Sequence, residues 1–252
     1  MRTQLIGING KIGAGKDTVG EIIQKLCLTN NGPEFEIKKF AGKLKQIASL
    51  LTGINISDFE YQDFKNTYLD ENWDYWCVVV EDNGKVSFVS QKFATHDQAA
   101  IEALALEKNL GTFRMKYVIE QRRMTVRQLL QELGTEAMRD GLHTNVWVNA
   151  LFADFKFAKM SQYNPSHWLI TDMRFPNELE AIKERGGITI RVTRDYALRG
   201  GPEDPKNLHP SETALDKETF DYEIVNDGTI EELVGKVRDI LIKEEIIRDG
   251  NI

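Results

Sequence analysis

The chain has 252 residues, of which 41% are hydrophobic and 28% charged, and its formal net charge is -7. This length and composition exclude a disordered chain and predict a folded domain with a well-buried core. The acidic balance argues against binding along a nucleic-acid backbone, and the sequence has no apolar run of about 18 residues, so we expect neither a nucleic-acid partner nor a membrane-spanning helix.

The first part of the chain alternates between short apolar runs and segments of helical periodicity. Its predicted elements are a strand over 3–8, a helix over 18–26, a strand over 35–41 and a helix over 43–51. Two cysteines, Cys27 and Cys77, lie far apart and outside any CxxC pair, so we expect reduced thiols in a cytoplasmic protein.

The middle of the chain departs from this alternation. Asn83-Gly84 separates two apolar runs and is the pair that a type I′ hairpin turn favours, because both central residues need positive φ. We interpret residues 60–118 as an inserted subdomain. The elements predicted here are an aromatic and acidic stretch over 58–76, strands over 77–80 and 86–89, and a helix over 95–109.

The alternation of strands and helices then resumes. The predicted elements are helices over 125–134 and 145–160, a strand over 168–172, a helix over 177–184, strands over 188–192 and 222–225, and a helix over 229–244. Residues 195–210 contain two glycines and three prolines and are predicted to form a mobile lid loop. The whole pattern predicts one α/β domain over 1–252, with a parallel sheet covered by helices on both faces.

The most informative motif follows the first predicted strand and opens the first predicted helix. It has the form G-x-x-x-x-G-K, which predicts a phosphate-binding loop and the three-layer fold of P-loop proteins. Glycines let backbone N–H groups turn toward phosphate oxygens, and Lys16 is expected to reach the β- and γ-phosphates. The candidate ATP-binding residues are Gly10, Gly13, Ala14, Gly15, Lys16, Asp17 and Thr18.

Two carboxylates are candidates for binding Mg²⁺. Asp17 stands where a serine or threonine usually follows the lysine, and a carboxylate can ligate the metal directly or through water. Asp172 ends an apolar strand, so it is expected to face the same crevice as Lys16. The alternatives are that Asp17 only caps the helix and that Asp172 only forms a turn.

The nature of the acceptor can be argued from the groups that each chemistry needs. A phosphate acceptor is already an anion and needs cations to hold it beside the donor, whereas a hydroxyl acceptor favours a carboxylate base. The candidate cations stand at helix starts and loop edges, and each of them could instead be a solvated surface charge. They are Lys45, Arg127, Arg174, Arg194 and Arg199.

Taken together, the motifs resemble those of the tailed-phage deoxynucleoside monophosphate kinases, a branch of the P-loop nucleoside monophosphate kinases. The similar stretches run in family order over nearly the whole chain. They are the 10–18 loop with its Gly-Lys-Asp-Thr ending, 40–45, 126–135, 146–148, 172–178, His209-x-Ser211-Glu212 and 226–233.

This resemblance implies transfer of the ATP γ-phosphate to a deoxynucleoside monophosphate, with Mg²⁺, to supply viral DNA replication in the host cytoplasm. The catalytic residues it implies are Lys16, Arg127, Asp172, Arg174 and Arg194. The acceptor-binding residues are Lys45, Arg127, Gly134, Thr135, Glu136, Trp147, Asp172, Arg174 and Glu178. Trp147 could instead be core packing.

Three further points stay open at this stage. Asp227 follows the last strand, where related kinases bind adenine, but this turn could be an ordinary one with Asp227 or Thr229 as helix N-cap. The aromatic residues of 58–76 suggest a homodimer. The alternatives to the leading function are a P-loop kinase with a hydroxyl acceptor, of the dephospho-coenzyme A kinase type, and a non-catalytic nucleotide-binding or DNA-associated P-loop protein.

Overall fold

A computed structural model describes residues 4–82, 85–110, 115–160, 167–194 and 213–248. It divides the chain into two compact units. The first comprises residues 1–44 and 138–252, and the second comprises 45–137. The predicted insertion over 60–118 falls inside the second unit, whereas the predicted lid over 195–210 lies outside the described residues, as does Arg199.

The first unit is built on a parallel five-stranded sheet. Its strands are β1 (Leu5–Asn9), β2 (Phe35–Lys38), β6 (His167–Met173), β7 (Ile188–Thr193) and β8 (Tyr222–Val225), in the spatial order β2-β6-β1-β7-β8. All four neighbouring pairs are parallel. Its helices are α1 (Lys16–Thr29), the start of α2 (Phe40–Thr52), α6 (Val146–Met160), α7 (Pro176–Glu184) and α8 (Ile230–Lys243).

Successive strand residues point to opposite faces of this sheet, and helices cover both faces. Ile6 and Ile8 of β1 pack in one core with residues of α1 and α8, such as Val19 and Val237. Leu5 of the same strand packs in a second core with residues of α6 and α7. The predicted α/β fold with a parallel sheet between two helical layers is therefore confirmed.

The second unit contains an antiparallel three-stranded sheet of order β4-β3-β5. Its elements are β3 (Tyr75–Asp82), β4 (Lys85–Val89), α4 (His96–Leu110), β5 (Met115–Arg122), α5 (Val126–Gln131), the short helix α3 (Gln62–Lys65) and 3₁₀ turns at Ile56–Glu60 and Glu71–Trp73. The predicted pair of strands is present, and β5 is a strand that the sequence analysis missed. Asn83 and Gly84 themselves lie outside the described residues.

The helix that begins after Thr125 also differs from the prediction. Thr125 caps it with a full capping box, as its sequence favours. The predicted end at Gly134 is wrong, because the chain continues as a π-helix over Glu132–Asp140. This continuation carries Arg139 to a buried position in the first unit.

Candidate active site

The phosphate loop, residues 10–18, connects β1 to α1 and has the backbone geometry that anion binding requires. Gly13 and Gly15 have φ values of 78° and 95°, in the left-handed region that glycine tolerates. Ala14 N–H closes the turn on Lys11 O at 3.1 Å. The N-cap of α1, Gly15, has no side chain that could accept a hydrogen bond from the amides of the first turn. Such amides and the helix dipole together favour a phosphate.

The loop lines an open cavity of about 480 Å³, a volume in the range of small-molecule sites. The lining residues come from the loop, from the position just after β7, from the β8–α8 turn and from the start of α8. They are Gly13, Gly15, Lys16, Asp17, Thr18, Arg194, Asn226, Gly228, Thr229, Ile230 and Leu233. The structure thus brings Arg194 together with five of the predicted loop residues, and Arg194 Nη1 donates to Gly13 O at 3.5 Å.

Asn226 is a residue of this cavity that the sequence analysis did not select. Its Nδ2 donates to Ala14 O at 2.9 Å, so the last strand is tied to the phosphate loop. The residue chosen from the same turn, Asp227, is exposed, pairs with Lys236 at 3.7 Å and is not among the lining residues. Thr229 is the N-cap of α8, with its side chain accepting from Glu232 N–H.

Asp17 projects from the first turn of α1 beside the cavity, and its side chain is 60% exposed. Its Oδ1 accepts a hydrogen bond from the Thr171 hydroxyl at 3.1 Å and lies 3.3 Å from Lys39 Nζ. Within the part of the chain that the structure describes, no hydrogen bond reaches Oδ2. One oxygen of this carboxylate is therefore available to a metal.

Asp172, at the end of β6, has a defined structural role. Its two carboxylate oxygens accept the backbone N–H groups of Phe40 at 2.8 Å and Ala41 at 2.9 Å, and so cap the start of α2. Burial raises the pKa of the Asp172 carboxyl, and these two hydrogen bonds oppose that rise. It is not among the residues that line the cavity.

Glu178 is buried, with an exposed fraction of 2%. Its Oε2 accepts the N–H groups of Arg174 and Phe175, which caps α7, and its Oε1 pairs with Arg139 Nη2 at 3.0 Å. The Arg139 guanidinium also lies 3.8 Å from the Phe175 ring centroid. This geometry makes Glu178 an organiser of the 174–178 turn. Arg139 was missed because the helix was predicted to end before it.

We expect the stability of the wild-type protein relative to Glu178→Gln to fall as the pH rises from about 4.5 to about 7. Burial raises the pKa of Glu178 from 4.5 to about 7, against the opposing effects of the Arg174 N–H and the Arg139 guanidinium. The folded protein therefore keeps a proton that the unfolded chain has already released, and ionisation in this interval favours unfolding.

Equilibrium denaturation of both proteins across this pH interval measures the effect. The glutamine variant is the control for shape, since it keeps the side-chain volume and a hydrogen-bond acceptor but has no titrating group. A relative stability that instead increases with pH would mean that the Arg139 pair outweighs burial.

The predicted acceptor-binding residues divide between the two units. Those of the second unit are Lys45, Arg127, Gly134, Thr135 and Glu136, and those of the first are Trp147, Asp172, Arg174 and Glu178. Trp147 is buried. The residues that line the cavity at the phosphate loop all belong to the first unit.

The two cations of the second unit that were predicted to bind the acceptor, Lys45 and Arg127, are both held by polar neighbours. Lys45 is buried, with Nζ 2.5 Å from Glu60 Oε1. Arg127, at the start of α5, donates from Nε to Asn66 Oδ1 at 3.0 Å and from Nη2 to Gln62 Oε1 at 3.3 Å. Neutral amide partners leave the charge of Arg127 uncompensated by either contact, as an anion-binding arginine requires.

Metal-binding clusters and membrane-spanning helices are both absent from the described residues. No three His, Cys, Asp or Glu side chains come together there as a metal-binding group. None of the helices in those ranges is long and apolar enough to cross a membrane.

Comparison with known proteins gives a consistent result. A model of the deoxynucleotide monophosphate kinase family matches residues 4–237. The deoxynucleoside-5'-monophosphate kinase of Escherichia phage T5 is 24% identical over 245 residues, covering 88% of this chain and 89% of that protein. The deoxynucleotide monophosphate kinase of Enterobacteria phage T4 is 21% identical over 254 residues, covering 94% and 98%. A protein of Acanthamoeba polyphaga mimivirus is 32% identical over 167 residues, or 61% of this chain and 82% of that one.

Proposed function

Because the chain belongs to the deoxynucleotide monophosphate kinase family, it is a kinase whose substrates are ATP and a deoxynucleoside monophosphate, and we propose how its residues share the reaction. The observation that carries the proposal is the cavity at the phosphate loop. There a lysine, an arginine and the N-terminus of α1 face one space. We assign this cavity to ATP.

On the donor side, Gly10, Gly13, Ala14 and Gly15 shape the loop whose amides hold the ATP phosphates. Lys16 and Arg194 stabilise the charge that shifts toward the bridging oxygen as the γ-phosphoryl group leaves. The β8–α8 turn holds the nucleoside end, because Gly228, Ile230 and Leu233 give that part of the cavity an open and apolar wall. Asp227 stays a prediction for the same end.

Mg²⁺ fits the residues of this site, as judged from Asp17. Its carboxylate is exposed at the cavity, next to Thr18, and Oδ2 accepts no hydrogen bond from the described residues. Mg²⁺ is usually held by one or two carboxylates together with substrate phosphates and water, so it does not need a cluster of three protein ligands. When bound, it neutralises charge on the phosphates. Asp172 would help to hold the metal while its carboxylate also caps the start of α2.

On the acceptor side, Lys45, Arg127 and Arg174 bind the 5′-phosphate of the monophosphate and counter the repulsion between two anions. Gly134, Thr135, Glu136 and Trp147 contribute to the base and sugar pocket, and Glu178 acts through the Arg174 turn that it caps. The contacts of Arg127 with two neutral side chains support this role, because they orient its guanidinium without neutralising it.

The test of this proposal is a turnover panel with ATP and Mg²⁺. We expect ADP release with at least one deoxynucleoside monophosphate, at a kcat/KM far above that for dephospho-coenzyme A, because cations rather than a carboxylate base dominate the predicted acceptor site. The matching ribonucleotides and a nucleoside without phosphate serve as controls. Preferential phosphorylation of a hydroxyl group would contradict the proposal.

Two further parts of the proposal concern the setting of the enzyme. We place the reaction in the cytoplasm of the infected host, in keeping with the phage origin of its relatives and with two free cysteines. A homodimer stays a prediction. Of the aromatic residues on which it was based, Tyr61 and Tyr68 are exposed, whereas Phe59 and Tyr75 are buried.

A further inference from the structure

Lys39 is a cation beside the phosphate loop that the sequence analysis did not select and that the proposed mechanism does not use. It lies between β2 and α2, and its Nζ is 3.3 Å from Asp17 Oδ1. The Thr171 hydroxyl donates to the same oxygen at 3.1 Å, and Thr171 is fully buried. Asp17 is therefore held in place by one neutral donor from the core and balanced by one positive charge.

Lys39 also stands next in sequence to the start of α2. It directly precedes Phe40 and Ala41, whose N–H groups donate to Asp172. The side-chain ion pair of Lys39 is with Asp17.

We propose that Lys39 is a built-in counterion that neutralises Asp17 when no divalent metal is bound and gives up this carboxylate when metal and nucleotide bind. The proposal rests on the magnesium site proposed above. An ammonium group and Mg²⁺ on the same carboxylate repel each other, so the more strongly charged ion displaces the weaker one. The four-carbon side chain of lysine is flexible, so the ammonium group can move away from Asp17 without any change in the backbone.

The functional consequence concerns nucleotide binding without metal. A bare carboxylate directly after Lys16 would repel the phosphates, because both are anions. The positive charge of Lys39 offsets part of that repulsion. It therefore makes nucleotide affinity less dependent on Mg²⁺ than it would be with an unbalanced Asp17.

The experiment measures the Kd of ADP by calorimetry, with Mg²⁺ and with EDTA, and takes the ratio of the two values. We expect Lys39→Met to increase this metal dependence by about fivefold, the size of a partly screened charge interaction. The matched control is Lys43→Met. Lys43 pairs with Asp154 at 2.8 Å with side-chain exposures of 31% and 58%, close to the 35% and 60% of Lys39 and Asp17. We expect the control to leave the ratio unchanged.

The same ratio in an Asp17→Asn background completes a double-mutant cycle. There, Lys39→Met should have no further effect, because the charge that Lys39 balances is gone. If Lys39→Met leaves the wild-type ratio unchanged while Asp17→Asn lowers it, the metal site stands and the counterion role is refuted. If neither substitution changes the ratio, the assignment of Mg²⁺ to Asp17 fails as well. An increase that persists without Asp17 would show that Lys39 acts on the phosphates directly, which also contradicts the proposal.

Discussion

Lys16→Ala is expected to lower kcat by about a hundredfold to a thousandfold, the cost of removing one group that stabilises transition-state charge. Lys16 opens α1 and lines the cavity beneath the phosphate loop, where its ammonium can follow charge from the γ- to the β-phosphate. The fold should persist, because Lys16 belongs to neither of the buried cores of the first unit. Steady-state ADP release at saturating substrates measures the first effect, and thermal unfolding checks the second.

Lys11→Ala is the matched control for this experiment. Lys11 belongs to the same loop, but its Nζ lies 3.5 Å from Asp216 and it is not among the residues that line the cavity. We expect kcat to change by less than about twofold in this variant, since an exposed ion pair contributes little energy. Equal losses in the two variants would show that loop charge in general, rather than Lys16 in particular, supports catalysis.

The central strands β1 and β6 of the parallel sheet could be predicted because they are buried on both faces and are therefore short, largely apolar runs. The last strand, predicted over 222–225, has those bounds in the structure. The strand β5 could not be predicted in the same way. None of its residues is buried, and five of the eight are Met, Lys, Glu, Gln or Arg. Its strand conformation therefore depends on pairing with β3 along its whole length.

The candidate site also has a part that could be predicted from the sequence and a part that could not. The phosphate loop was predictable because nine consecutive residues carry its signal, between a strand and a helix. The contacts of Asn226, Arg139 and Asp172 could not be predicted, because each joins residues far apart in the sequence. The separations are 212, 39 and 132 positions, respectively. Such pairs depend on how elements pack, and sequence periodicity carries no information about that.

The position of Asn226 leads to a second prediction with a large expected effect. Gly15→Ala should lower kcat/KM for ATP by about a hundredfold, because two costs add at this position. Its φ of 95° strains any residue with a Cβ atom, and that atom would stand 2.4 Å from Asn226 Nδ2. Relief of the clash requires the loop or the Asn226 side chain to move, and either movement would break the hydrogen bond from Asn226 to Ala14 O. Steady-state kinetics with ATP varied at fixed monophosphate measure the loss.

Two control substitutions separate the contributions of strain and contact. Gly13→Ala has a similar φ of 78° in the same loop, but no atom of the described residues lies within 4 Å of its new Cβ, so it reports backbone strain alone. Asn226→Ala removes the obstructing amide and, with it, the hydrogen bond to Ala14. If contact with Asn226 dominates, Gly15→Ala should cost much less in the Asn226→Ala background than in the wild type. An undiminished loss there, equal to that of Gly13→Ala, would mean that backbone strain alone sets the requirement for glycine. The last strand would then have no part in shaping the loop.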